Sequence, residues 1–132
     1  MRCWNCIIVV LLLGACKQGA APPVFPASVA DAWRLKSSQS FAAGSAPELI
    51  RKIGTRGWWR AGYEGPGSAT IELYELTATP GGLEMVQRWR PTADTVVWYT
   101  PRYFVVVKWQ SADRAAVGGL IQALEKQFLQ QK

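Results

Sequence analysis

The chain has 132 residues, a net charge of +6, 49% apolar residues and 18% charged ones. That length suits a single domain, and the balance excludes a disordered or fibrous protein. There is no histidine, and the three cysteines are Cys3, Cys6 and Cys16. The commonest catalytic base, thiol nucleophiles and soft metal ligands are therefore missing from everything after residue 16.

The N-terminus opens with Met1-Arg2 and runs through Ile7-Ile8-Val9-Val10-Leu11-Leu12-Leu13 to Gly14-Ala15-Cys16. A positive charge, an apolar run and small residues, in that order, describe a secretory signal peptide over residues 1–15. The run falls well short of the roughly 20 residues that span a bilayer. Leu13-Gly14-Ala15-Cys16 resembles the lipobox of bacterial lipoproteins, a resemblance confined to the first 16 residues. It implies that the Cys16 sulfur takes a diacylglycerol, that the preceding bond is cut, and that the new amine is acylated. A thiolate is the nucleophile soft enough to hold such a lipid as a thioether. The same resemblance implies an extracytoplasmic address. Lys17, where an Asp would signal retention, favours an outer membrane facing the periplasm if the organism has two membranes. Cys3 and Cys6 form a C-x-x-C, but they lie in the leader.

Lys17 to Ser28 (KQGAAPPVFPAS) is rich in proline and small residues, so residues 16–28 read as a lipidated cysteine and an extended tether. At about 3.1 Å per residue in the polyproline form it would hold the body some 30 Å from the bilayer. A single domain is expected over 29–132.

Ala30 to Ser40 is ambiguous between a short strand and an irregular segment. Ser45-Ala46-Pro47-Glu48 starts a short helix with Leu49, Ile50 and Ile53 on one side, ended by Gly54. Strands are predicted over Trp58 to Glu64 and Ala69 to Thr77, joined by a turn at Gly65-Pro66-Gly67-Ser68. A helix after Pro80-Gly81-Gly82 places Leu83, Val86 and either Trp89 or Arg90 on one side and stops at Pro91. A second hairpin joins Thr95–Thr100 to Tyr103–Trp109, and Val105-Val106-Val107 suggests a central strand covered on both faces, or one covered by the tether region. Asp113 to Gln130 is the longest helix, with Val117, Leu120, Ile121, Leu124 and Phe128 at helical spacing. The expected fold is α+β: a four-stranded antiparallel sheet from two hairpins, helices packed on one face, order α-ββ-α-ββ-α.

Function is read by elimination and by surface chemistry. The sequence has no nucleophile elbow, phosphate-binding loop or metal-ligand spacing, so no cofactor or metal is expected and the chain reads as a non-enzyme. The basic residues are scattered, which argues against nucleic acid and leaves attraction to an anionic surface as the sharper reading of the charge. Trp58, Trp59, Arg60, Arg88, Trp89, Arg90 and Arg102 interleave rings and cations, a pattern suited to a binding patch. Neighbours on a strand point oppositely, so Trp58 and Trp59 cannot share one face. The expectation is a lipid-anchored, non-catalytic binding or accessory module with a protein partner in the envelope. The alternative is a small enzyme or ligand carrier using Glu64, Glu72 or Glu75. A concave pocket holding one of these favours that alternative, whereas a flat tryptophan–arginine patch favours the binder.

Overall fold

A computed structural model describes residues 22–131. The leader, Cys16 and the first part of the tether lie outside the described residues. The body is α+β, as expected, but the sheet has six antiparallel strands rather than four. In chain order the elements are β1 (Ser28–Val29), β2 (Trp33–Ala42), α1 (Glu48–Ile53), β3 (Thr55–Glu64), β4 (Ser68–Leu76), α2 (Pro80–Arg88), β5 (Thr95–Tyr99), β6 (Tyr103–Gln110) and α3 (Arg114–Gln130). A short 3₁₀ turn, Ala43–Ser45, precedes α1. In space the strands run β1-β2-β3-β4-β6-β5, so the second hairpin joins the sheet through its later strand.

The helices do not share one face. Strand β4 is buried along Ile71–Leu76 and β6 along Tyr103–Val107, with side chains alternating to both sides. A strand that is apolar on both sides needs cover on both sides. Helix α3 lays Val117, Leu120, Leu124 and Phe128 over Ile71, Leu73, Val105 and Val107. On the other face, α1 and α2 bring Ile50 and Met85 against Trp58, Tyr74, Leu76 and Phe104. In α2 it is Met85, not Leu83, that turns inward; Leu83 is exposed.

Local chemistry sets the ends of these elements. The Asp113 side chain caps α3 by accepting from the Ala116 N–H at 2.8 Å, which satisfies one of the helix's free donors. The turn between β3 and β4 must pass close to other backbone. A Cβ on Gly65 would lie 2.1 Å from the Ala32 carbonyl oxygen, and one on Gly67 would lie 2.5 Å from that of Gln110. Only glycine fits either place.

The latter part of the expected tether is laid along the body. Tyr63 donates to the Pro26 carbonyl at 2.8 Å, and Phe25 meets Phe128 edge-on at 5.9 Å. The Gln131 amide brackets Val24, donating to its carbonyl and accepting from its N–H. Residues 24–28 are thus held against α3 and the sheet.

Candidate functional site

The face of the sheet under α1 and α2 resolves into three cross-strand rows. Nearest the helices is an aromatic row: Phe41, Trp58, Tyr74, Phe104 and Tyr99 stand opposite one another across five strands. The middle row is Gln39, Arg60, Glu72, Val106 and Val97, and the third is Ser37, Gly62, Thr70, Lys108 and Thr95. The helices bury most of the aromatic row and the valines. They leave Ser37, Gln39, Arg60 and Lys108 exposed. The sheet therefore carries an open, polar half-face beside a closed, aromatic one.

The two halves are joined by specific contacts. Trp58 stacks on Phe41 at 4.1 Å and on Tyr74 at 5.2 Å between ring centroids. Its indole N–H donates to Ser45 Oγ at 3.1 Å, so a buried ring keeps its polar atom satisfied. The Arg60 guanidinium lies 5.1 Å from the Trp58 ring and 5.3 Å from that of Phe41. Those contacts hold a cation over the aromatic floor. Glu72 is buried, yet it meets Lys108 Nζ at 3.2 Å and accepts from the Tyr74 hydroxyl. Burial first, and the Glu72 carboxylate second, push the Tyr74 hydroxyl far above its ordinary value of 10. It stays neutral, a donor to that carboxylate at any physiological pH.

A second feature lies at one end of the strands. A cleft of about 560 Å³ opens between the loop after β4, the β5–β6 turn and the C-terminal end of α3. Arg56, Glu75, Arg102 and Leu129 are among its walls. Glu75 and Arg102 pair there at 2.9 Å with side chains only 12% and 16% exposed. The Arg102 guanidinium also lies 4.8 Å from the Tyr103 ring. Burial raises the Tyr103 hydroxyl to about 12, opposed by Arg102 and assisted by Glu75.

The residues expected to form one patch are thus divided. Trp58 and Arg60 meet on the helix-covered face, and Trp89 reaches it by packing on Phe104 at 5.4 Å. Arg88 is on α2, ion-paired to Glu84 at 3.0 Å, and Arg90 is exposed beyond that helix. Trp59 points to the opposite face and packs, half-buried, beside the α3 core. Arg102 stands at the cleft. The two tryptophans do point oppositely, and each finds cover because both faces are covered there.

The carboxylates also separate. Glu72 and Glu75 are three residues apart on one strand, so they emerge on opposite faces and pair with Lys108 and Arg102 respectively. Glu64 is exposed near the β3–β4 turn, 4.0 Å from Lys36. Glu72 and Glu75 cannot act together on one substrate. Among the described residues no cluster of potential ligands suits a metal ion, and no helix is long and apolar enough to cross a membrane.

Sequence reasoning missed Gln39, Lys108 and the aromatic partners of Trp58. Lys108 reads in sequence as a lone charge after three valines. Only the strand order places it beside Glu72. Comparison with family models, curated proteins and solved structures gives no match.

Proposed function

We propose that this chain is a lipid-anchored protein of the cell envelope whose body is a non-catalytic binding module for a protein partner. The anchor reading rests on the leader and the lipobox-like Leu13-Gly14-Ala15-Cys16. The binding reading rests on one observation: half of a sheet face is left without helices and is lined by Gln39, Arg60, Thr70 and Lys108. Arg60 is restrained by its aromatic contacts, so less of its rotamer freedom remains to be lost on binding. Arginine is among the residue types enriched at the points that carry most of an interface's binding energy. If the organism has two membranes, the place of work is the periplasmic side of the outer one.

The test is affinity capture from detergent-solubilised envelopes using the lipidated protein. The wild-type chain is expected to retain a defined partner, and the Arg60→Glu variant to lose it. Recovery of nothing above background with the wild type would count against a protein partner.

A ligand carrier is the second reading, and the position of Glu75 in the cleft wall favours it. In that case Glu75→Gln would abolish binding of a small ligand, whereas Arg60→Glu would leave that binding unchanged.

A further inference from the structure

We infer that the end of the body bearing the cleft rests on the anionic bilayer surface to which Cys16 is fastened. The inference builds on the proposed anchor and adds an orientation to it. Its first support is reach. The body begins at Pro22–Pro23, and the Gln131 amide clamps Val24 beside the C-terminal end of α3. Six peptide steps separate Cys16 from Pro22, and at no more than about 3.6 Å each they span roughly 20 Å. A domain of this size is wider than that, with a radius of gyration of about 13 Å. That link keeps the end where Val24 enters within roughly 20 Å of the lipid, at the high effective concentration that a short link imposes.

The second support is the chemistry of that end. Val24 and Leu129 are 62% and 59% exposed, the two most exposed large apolar side chains among the described residues. Both lie within two positions of the Val24–Gln131 contact in chain or space. Leu129 lines the cleft together with Arg56 and Arg102, and it lines the neighbouring groove on α3 with Lys126. The carboxylates at the same places are Glu75, engaged by Arg102, and Glu125. Cations thus outnumber acids around two exposed apolar side chains. That pattern suits an anionic headgroup layer, with leucine and valine at the acyl boundary and arginine at the phosphates. The Gly65–Gly67 turn is at the opposite end of the strands and would point away, leaving the open sheet face reachable from the side.

The test uses mature, lipidated protein in vesicles containing phosphatidylglycerol or only phosphatidylcholine. A fluorophore is attached through Leu129→Cys, or at the far end through Glu64→Cys, and spin-labelled lipid serves as quencher. Quenching at position 129 should exceed that at position 64 several-fold in phosphatidylglycerol. Arg56→Glu/Lys126→Glu should reduce it toward the far-end value, although the protein still sediments with the vesicles. Equal quenching at the two positions in phosphatidylglycerol would overturn the orientation. Release of wild-type protein from vesicles of both kinds would contradict the anchor itself, and the orientation would fall with it.

Discussion

Glu75 and Arg102 carry the largest single-residue consequence at the cleft. Each is mostly shielded from water, and each answers the other's charge at 2.9 Å. Arg102→Leu leaves a carboxylate shielded without its partner, so it should cost about 3 kcal/mol in a urea titration. The Arg102→Leu/Glu75→Leu double variant should recover much of that loss, because both desolvation penalties then disappear. A second residue-scale consequence follows from three tyrosines. Tyr63, Tyr74 and Tyr103 all have hydroxyls raised above the ordinary value of 10, chiefly by burial, with Tyr103 at about 12. Above pH 10 the unfolded chain releases these protons while the folded one keeps them, so the folded state binds more protons. Their contribution is fully present below about pH 10 and is lost as pH rises toward 12. The urea midpoint should therefore fall as pH rises from 10 to 11.5, with phenolate absorbance from these rings appearing only as the chain unfolds. Their ionisation in the folded state at pH 10.5 would contradict their burial.

At the scale of elements, legibility followed burial. Helix α3 was readable because its inward residues recur every three or four positions and most of its exposed ones are polar. Its Gly118-Gly119 pair reads either as a weak point or as a place of close approach. A Cβ on Gly118 would meet nothing within 4 Å, and one on Gly119 would lie 3.7 Å from the Ala30 Cβ. Close packing does not require glycine at 118, so Gly118→Ala should stabilise the protein by about 0.5–1 kcal/mol and raise its Tm. Strands β3, β4, β5 and β6 were legible instead from their β-branched and aromatic residues between Gly- and Pro-marked turns. Strand β2 was not, because Lys36 to Ser40 is exposed on both sides and shows no alternation. Strand β1 was hidden by its turn. Ala30 and Asp31 have φ of 51° and 54°, the left-handed pair that Asn-Gly usually announces. With β1 unseen and β2 left open between a strand and an irregular segment, the aromatic row could not be assembled. Trp58 was recognisable as notable, but its partner Phe41 belongs to β2, and Lys108 reaches Glu72 only through the β4–β6 pairing.

On the scale of the whole molecule, one small body combines a closed core, an open polar half-face and a cleft near the point where its N-terminal segment enters. The helices divide between the two faces of the sheet, and that division uncovers the half-face. Two or more acyl chains on Cys16, at about 0.8 kcal/mol per buried methylene, would hold such a body at a membrane for its working life. Binding and orientation at that surface both presuppose the thioether. The direct test is the intact mass of the protein extracted from its native membranes. A lipid anchor requires a polypeptide that begins at Cys16 and carries the added mass of a diacylglyceryl group, with or without a further amide-linked chain. A mass equal to the full chain from Met1, or to a cleaved chain with an unmodified Cys16, would contradict it.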